Sequence, residues 1–220
     1  MPYALPPAHL SHPITLPDGT AHPGTVYLKS VIDHPRMIVG DHTYASDFGE
    51  VADWAAHLAP YLFPFSQETL TIGKFCQIAH GVRFIGSSAN HAMRGPSTFP
   101  FAVFDPETML GYQPDTRPMT IGHDVWLGYG ALVLPGAQIG NGVIVGAGSV
   151  VRGSLPDYAV VAGNPAQVVR MRFSQEQIAT LTALRWWDWP TERIAAARHI
   201  LETGSVDALA GYAAEHSLPN

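Results

Sequence analysis

The sequence predicts a mainly β protein in which short strands wind into a stacked coil. Three observations lead to this fold class: an aliphatic residue that recurs every six positions, a high density of turn residues with 21 Gly and 19 Pro in 220 residues, and a helical pattern that begins only after residue 173. A helix would repeat its apolar positions about every 3.6 residues and a hairpin sheet every second residue, so neither explains a period of six. Such a period is typical of a solenoid.

The main repeat block begins at Ile121 and reads "IGHDVW LGYGAL VLPGAQ IGNGVI VGAGSV VRGSLP". One register holds large aliphatic residues: Ile121, Leu127, Val133, Ile139, Val145 and Val151. A second register, four residues later, holds mostly small or β-branched residues: Val125, Ala131, Ala137, Val143, Ser149 and Leu155. We expect both registers to point inward, with glycines supplying the tight turns. Each coil then satisfies the strand edges of the next, and stacking buries one continuous core.

An earlier block, "IGKFCQ IAHGVR F", places Ile72, Ile78 and Phe84 in the large register. Ile72 and Ile121 are 49 residues apart, which is not a multiple of six. Something between residues 85 and 119 is therefore looped out of the stack. A loop of that length inside a compact fold is usually functional or disordered. The stretch "SANHAMRG" opens this loop and displays a histidine, His91.

The end of the chain predicts helices. Ser174 to Gln177 has the pattern of a capping box, with Ser174 as the N-cap. A first helix ends before Pro190, a second ends near Gly204, and a third covers Val206–His216. These helices are expected to cover an exposed end of the coil, since solenoids need capping.

These patterns divide the chain into three parts. Residues 1–38 form an N-terminal leader, residues 39–173 form the β-helix with a protruding loop over about 86–119, and residues 174–220 form the C-terminal helices. The net charge of −6 and the lack of a basic run argue against nucleic acid as a partner.

The N-terminal stretch "MPYALPPAHLSHP" has no basic residue and no apolar core, so it does not resemble a secretory signal. No window of 18 apolar residues predicts a membrane span. We therefore expect a soluble, cytoplasmic protein. The single Cys76 excludes an intramolecular disulfide and gives no metal-site spacing.

Beyond its fold class, the sequence resembles a known family. The repeats and the motifs "NHAMRGPSTFPF", "TIGHDVWLG", "GAGSVVRG", "VVAGNPAQVVRMRF" and "RWWDWP" are similar to those of the hexapeptide xenobiotic acetyltransferases, which include the streptogramin A and the type B chloramphenicol acetyltransferases. The similarity runs from about Val39 to Ile194, and the context of His91 is closer to the streptogramin branch. The resemblance implies a left-handed parallel β-helix, a homotrimer, acetyl-CoA as donor co-substrate, and active sites between subunits. It implies no metal.

His91 is the predicted catalytic residue. A neutral alcohol is a poor nucleophile, so a base must take its proton as it attacks a thioester, and histidine suits that task near neutral pH. No acyl-enzyme is needed if the alcohol attacks acetyl-CoA directly. The family places its catalytic histidine in this N-H motif, which makes His91 the general base. Its other ring nitrogen is expected to be held by a backbone carbonyl or a neighbouring polar group.

The resemblance also implies a set of residues that bind the cofactor: Trp126, Tyr129, Ala147, Arg152, Gly163, Pro165 and Arg170. The two arginines would meet the phosphates of CoA. Each assignment has a structural alternative. Trp126 could cover a coil corner, the arginines could be ordinary surface residues, and the fold itself needs small residues at Ala147 and Gly163.

The acceptor side is where the chain departs from the family. The predicted acceptor residues are Tyr44, Phe63, Asn90, Met109 and Tyr112. Related enzymes carry aromatic residues at two positions occupied here by a histidine and an alanine, His42 and Ala45. The apolar loop residues favour a bulky acceptor over a sugar.

The predicted function is therefore acetyl-CoA-dependent O-acetylation of a xenobiotic or antibiotic, with a streptogramin A-like or chloramphenicol-like acceptor. Acetylation of a sugar or another small hydroxylated metabolite by the same chemistry stays open. A zinc hydro-lyase would need three converging histidines, and the separated His80, His91 and His123 could meet only across coils and subunits. A non-catalytic scaffold would not need His91, its loop and the two basic positions.

Overall fold

A computed structural model describes residues 3–112 and 115–216. Residues 1–2 of the predicted leader, 113–114 of the predicted loop and 217–220 of the predicted C-terminal part lie outside the described residues. The first half of the chain contains these elements: β1 (Thr25–Tyr27), α1 (Leu28–Val31), β2 (Met37–Val39), β3 (Tyr44–Ser46), α2 (Trp54–Leu58), β4 (Leu70–Ile72), β5 (Gln77–Ile78) and β6 (Arg83–Phe84).

The second half begins after a long loop that contains three short 3₁₀ segments, Ser87–Ala89, Phe101–Phe104 and Met109–Gly111. The strands that follow are β7 (Met119–Ile121), β8 (Trp126–Leu127), β9 (Leu132–Val133), β10 (Gln138–Ile139), β11 (Ile144–Val145), β12 (Val150–Val151), β13 (Ser154–Leu155), β14 (Ala159–Gly163) and β15 (Ala166–Met171). The helices that follow are α3 (Gln175–Leu184), a 3₁₀ turn (Trp186–Asp188), α4 (Thr191–Thr203) and α5 (Val206–Glu215).

The strands form three sheets, which are the three faces of a prism. The seven-stranded sheet has the order β1-β3-β5-β8-β11-β14-β15, the five-stranded sheet β13-β10-β7-β4-β2, and the three-stranded sheet β12-β9-β6. Neighbouring strands are parallel except for β1 with β3 and β14 with β15. Ile72, Ile121 and Ile139 lie side by side in one sheet, so each full coil returns to the same face. The architecture is a parallel β-helix, and the predicted inward registers are confirmed.

The core of the coil is built from the two repeat registers. The large-register residues from Ile121 to Val151 are at most 3% exposed, and each such side chain stabilises the fold by about 1.5–3 kcal/mol relative to leaving it in water. Glycine allows adjacent turns to stack closely. A Cβ at Gly122 would lie 2.7 Å from the carbonyl carbon of Gly140, so no larger residue fits this turn.

Three corners join the three faces. The first corner, between the five- and seven-stranded sheets, contains residues 40–43, 73–76, 122–125, 140–143 and 156–158. The second corner, between the seven- and three-stranded sheets, stacks Asp47, His80, Tyr129, Ala147 and Gly163, since each lies two residues after a paired inward residue. The third corner, between the three- and five-stranded sheets, contains residues 134–137 and 152–153, and the long loop is inserted there.

The C-terminal helices pack against the first corner. The predicted capping box is confirmed, because Ser174 Oγ accepts from the Gln177 amide and the Gln177 side chain accepts from the Ser174 amide. Trp187 stacks on His123 with ring centroids 5.0 Å apart, and Lys74 Nζ lies 2.8 Å from Asp188 Oδ1. Because Lys74 belongs to an early coil, the helices run along the side of the stack rather than only across its end. Aromatic rings of the coil turns form the surface against which these helices pack.

The N-terminal segment also joins the coil. Strand β1 pairs antiparallel with β3 and forms one edge of the seven-stranded sheet, so residues 25–27 of the predicted leader are part of the fold. Across residues 3–112 and 115–216, none of the helices combines the length and apolar character that crossing a lipid bilayer requires.

Candidate active site

The loop that carries His91 is pinned where it leaves and rejoins the third corner. The Ser87 amide donates to Glu68 Oε1 at 2.8 Å, and Ser87 Oγ accepts from the Arg117 amide at 3.0 Å. Glu68 and Ser87 are both buried. Residues 87 and 117 therefore meet at one point, and the residues between them project from a rigid base.

His91 is exposed near the base of this loop, and its ring is oriented by the backbone. Its Nδ1 lies 3.0 Å from the carbonyl oxygen of Thr98. A carbonyl can only accept, so Nδ1 carries the proton and Nε2 keeps its lone pair. The predicted orienting group is confirmed as a backbone carbonyl. Nε2 has no hydrogen-bond partner among residues 3–112 and 115–216, and an imidazole in this tautomer can accept a proton from a bound hydroxyl.

A cavity of about 550 Å³ lies at this loop and is lined by two predicted residues, His91 and Tyr112, together with Met93 and Asp115. Tyr112 Oη donates to the Asn90 carbonyl oxygen at 3.0 Å, so part of its role is to hold the backbone beside His91.

Arg152, Met109 and Phe63 also lie on the loop side. Arg152 lines a second cavity together with Asn90 and Met93. Met109 is about half exposed in its 3₁₀ segment. The Phe63 amide donates to Ser66 Oγ, which is 3.3 Å from Ser88 Oγ at the base of the loop.

A second group of predicted residues forms a row across the outer face of the seven-stranded sheet. Cross-strand pairing links Tyr44 to Gln77, Gln77 to Trp126, and Trp126 through two further strands to Arg170. Two strand spacings put Tyr44 and Trp126 about 10 Å apart. The Trp126 side chain is 50% exposed, whereas burial raises the pKa of Tyr44.

The second corner continues this surface. Tyr129 and Ala147 are exposed on consecutive coils, and the Gly148 amide donates to the Tyr129 carbonyl at 2.7 Å. Gly163 has φ +104°, a backbone conformation that favours glycine, and it is followed by a cis bond between Asn164 and Pro165. The small residues leave an open track along this corner.

The structure thus separates the predicted residues into two groups. Asn90, His91, Met109, Tyr112, Phe63 and Arg152 lie around the third corner, while Tyr44, Trp126, Tyr129, Ala147, Gly163, Pro165 and Arg170 lie on the seven-stranded face and the second corner. The two groups face different sides of one prism.

Sequence reasoning missed a cluster around Asp47. Its Oδ2 lies 2.9 Å from both His57 Nε2 and His80 Nδ1, although the two histidines come from a helix and from a coil corner. No motif could have found the cluster, because its members are brought together only by the stacking of coils.

His123 has a structural role. Its Nδ1 accepts from the Lys74 amide at 2.9 Å, its ring lies against Trp187, and burial lowers its pKa. His80, His91 and His123 sit at the second, third and first corners, so they do not converge within one chain. In the part of the chain that the structure describes, no three His, Cys, Asp or Glu side chains are placed to hold a metal ion.

The comparisons with known proteins agree with this architecture. Residues 118–153 match the family model described as bacterial transferase hexapeptide (six repeats). A chloramphenicol acetyltransferase from Agrobacterium fabrum (strain C58 / ATCC 33970) is 36% identical over 192 residues, which are 84% of this chain and 90% of that protein.

Two further relatives carry different names. The virginiamycin A acetyltransferase of Staphylococcus aureus is 33% identical over 193 residues, covering 83% of this chain and 84% of that protein. A putative lipopolysaccharide biosynthesis O-acetyl transferase of Escherichia coli (strain K12) is 41% identical over 132 residues, covering 58% of this chain and 59% of that protein.

Proposed function

The chain belongs to the hexapeptide-repeat xenobiotic acetyltransferases and is an acetyltransferase, and from that premise we propose that it transfers an acetyl group from acetyl-CoA to a hydroxyl of an antibiotic or other xenobiotic, with His91 as the general base. The observation that carries this proposal is the orientation of His91. Its Nδ1 is bound to the Thr98 carbonyl at the base of a pinned loop, and its Nε2 is unpartnered within the described part of the chain.

The chemistry follows from that free nitrogen. Nε2 of His91 takes the proton of the acceptor hydroxyl while the hydroxyl oxygen attacks the thioester carbonyl carbon. The C–S bond then breaks, and the imidazolium returns the proton to the departing thiolate of CoA. Rigid placement of His91 matters, because transfer between two bound substrates gains mostly from orientation.

Acetyl-CoA is proposed to bind along the second corner and the seven-stranded face. Ala147 and Gly163 leave room for a slender chain, Tyr129 and Trp126 offer exposed rings, and Arg170 offers a cation for a phosphate. Because this surface and His91 face different sides of one prism, we propose a homotrimer in which the loop of one copy closes over the second corner of the next. The coil is proposed to be left-handed, as in the family, and the reaction to take place in the cytoplasm, where acetyl-CoA is available.

The acceptor class has two candidates. Relatives named for chloramphenicol and virginiamycin are 36% and 33% identical, so identity does not separate these antibiotics. Acetylation of a sugar is the second candidate, because a relative named for lipopolysaccharide O-acetylation is 41% identical over part of the chain. The apolar loop favours the antibiotic acceptors.

The test is release of CoA thiol by the purified protein in the presence of acetyl-CoA and virginiamycin M, chloramphenicol or a set of sugars. His91→Ala is expected to lower turnover by roughly 10²–10⁴-fold, as loss of a general base does. His199→Ala, at an exposed histidine of α4, is the matched control and should behave like the wild type. Wild-type turnover in His91→Ala would disprove the role of His91, and turnover on sugars alone would select the second candidate.

A further inference from the structure

Asp47 is a buried carboxylate at the second corner, and only 8% of the residue is exposed. Its Oδ1 accepts from the Gly49 amide at 3.0 Å, and its Oδ2 is contacted at 2.9 Å by His57 Nε2 and by His80 Nδ1. Burial alone would raise the pKa of Asp47, but the Gly49 amide and the two histidines outweigh it and lower that pKa. Asp47 is therefore a carboxylate that only accepts hydrogen bonds.

The backbone and this carboxylate fix the position of His80. The Phe48 amide donates to His80 Nδ1 at 3.3 Å, and Asp47 Oδ2 lies 2.9 Å from the same nitrogen. Because an amide N–H donates to Nδ1, the ring N–H is on Nε2, which is therefore a hydrogen-bond donor. The ring is held on both faces, by Phe48 at 4.5 Å and by Tyr129 at 5.5 Å between ring centroids.

His80 also occupies a particular place in the stack. It lies one coil before Tyr129 and two coils before Ala147 at the second corner. The corner therefore changes from aromatic rings at Phe48, His80 and Tyr129 to small residues at Ala147 and Gly163. A slender arm fits the small end, while the aromatic end offers flat faces and one hydrogen-bond donor, the Nε2–H of His80. Phe48 is 85% exposed, so this end is open to a ligand.

We propose that His80, held beside Asp47 by the Phe48 amide, is an acceptor-binding residue whose Nε2–H donates a hydrogen bond to the oxygen of a second hydroxyl of the acceptor. This inference rests on the proposed function, because His91 already takes the proton of the hydroxyl that is acetylated. The ligand class it selects is a diol or polyol that also presents a flat apolar face to Phe48. A purely apolar acceptor with one hydroxyl gains nothing from His80.

The test compares two acceptors and two variants. The acceptors are the best diol from the antibiotic and sugar set and its analogue in which the hydroxyl that is not acetylated is replaced by hydrogen. His80→Phe keeps an aromatic ring between Phe48 and Tyr129 but removes Nε2. His57→Gln is the matched control, since it alters the other histidine that shares Asp47 while leaving the corner intact.

The expected result is a selective change in KM. His80→Phe should raise the KM of the diol by about tenfold, the size of one lost hydrogen bond, and leave the KM values of the analogue and of acetyl-CoA unchanged. His57→Gln should change none of these. A second variant, His80→Leu, which also lacks a hydrogen-bonding group, covers the case in which His80→Phe does not fold.

Other results would contradict the inference in distinguishable ways. Equal changes for the diol and its analogue, or a change in the KM of acetyl-CoA alone, would show that His80 is structural or serves the donor, while the proposed function would stand. Absence of wild-type turnover on every acceptor would overturn the proposed function, and the inference with it.

Discussion

At the scale of single residues, three histidines of one chain have different chemistry because they have different partners. His91 is bound by a backbone carbonyl, His80 by a buried carboxylate, and His123 by a backbone amide and an indole ring. His91 donates through Nδ1, whereas His80 and His123 use Nδ1 to accept from a backbone amide. Among these three histidines, His91 is therefore the one whose Nε2 can take a proton from a substrate, and His80 offers a donor instead.

Asp47→Asn tests the buried carboxylate. The amide has one accepting oxygen where the carboxylate has two, for the Gly49 amide and for His57 Nε2, so we expect a loss of about 1–3 kcal/mol in the free energy of unfolding at pH 7. Because the pKa of Asp47 is lowered in the fold, its contribution is present above the unfolded value near 3.8 and is lost as pH falls through the lower folded value. Urea unfolding of both proteins at pH 7 measures the loss of stability, and the same experiment at pH 3 measures how much of the Asp47 contribution disappears in acid.

The control for this prediction is Asp41→Asn. Asp41 pairs with Lys29 at 2.6 Å on the surface, and such exposed pairs contribute about 0–1 kcal/mol. An equal loss of stability in both variants would contradict the buried role of Asp47.

Cys76 gives a second residue-scale prediction. Its side chain points into the core, and burial raises the pKa of the thiol to about 12. The thiol form predominates at pH 8, so we expect no reaction with a disulfide reagent in the folded protein and one equivalent after unfolding in guanidinium. Fast labelling of the folded chain would contradict the burial of Cys76. Slow labelling also means that a thiol assay of CoA release has no background from the enzyme.

At the scale of elements, the parts that follow from the sequence are those with local causes. The strands of the coil follow from the two registers, and the start of α3 follows from the capping box at Ser174 and Gln177. The line along which the helices pack does not follow from the sequence. It depends on contacts between the C-terminal tryptophans and rings of distant turns, such as Phe75 and His123. The same reasoning applies to the site: a motif identifies His91, but only stacked coils join Asp47 to His80.

The junction between the first corner and the C-terminal helices carries a testable pH dependence. Asp124 lies there with Arg172 Nη1 at 3.8 Å, beside Tyr158 and Gln77. Burial raises the pKa of Asp124 to about 6, and Arg172 only partly offsets this. A raised carboxyl pKa contributes stability that is full below the unfolded value near 3.8 and is lost as pH rises through about 6.

Asp124→Asn removes this dependence. Relative to the wild type, the variant should gain on the order of 3 kcal/mol in the free energy of unfolding between pH 4 and pH 7.5, because about two units of pKa shift disappear. Chemical unfolding of both proteins at the two pH values measures the change. Parallel pH profiles for the two proteins would show that Asp124 titrates normally in the fold.

At the scale of the whole molecule, the coil is a rigid prism that presents different chemistry at different corners. The third corner carries His91, the proposed base, and the second carries the proposed donor track and His80. The proposed site needs both, and a symmetric ring of copies can supply them by placing the third corner of one copy against the second corner of the next. The same pair of corners would then meet at every interface of the ring.

This arrangement predicts complementation between two inactive variants. His91→Ala removes the base, and Ala147→Trp blocks the donor track with a bulky side chain at an exposed position that leaves the core untouched. Each variant alone should be inactive. If trimers are formed from equal amounts of both chains, about a quarter of the interfaces combine an intact loop with an intact corner, so activity should return to about a quarter of the wild-type value.

The control is the double variant with both changes on one chain. It should stay inactive when it is mixed with either single variant, because both chains of the mixture then share one defect and no interface combines an intact loop with an intact corner. Sites formed within one chain would behave differently, since every chain in the mixture carries a defect and no complete site could arise. Co-expression with two different affinity tags, followed by purification through both, isolates mixed assemblies; in these one of the three interfaces is intact, so their activity should be about a third of the wild-type value. Inactive mixed assemblies would therefore contradict the interfacial site while leaving His91 as the base.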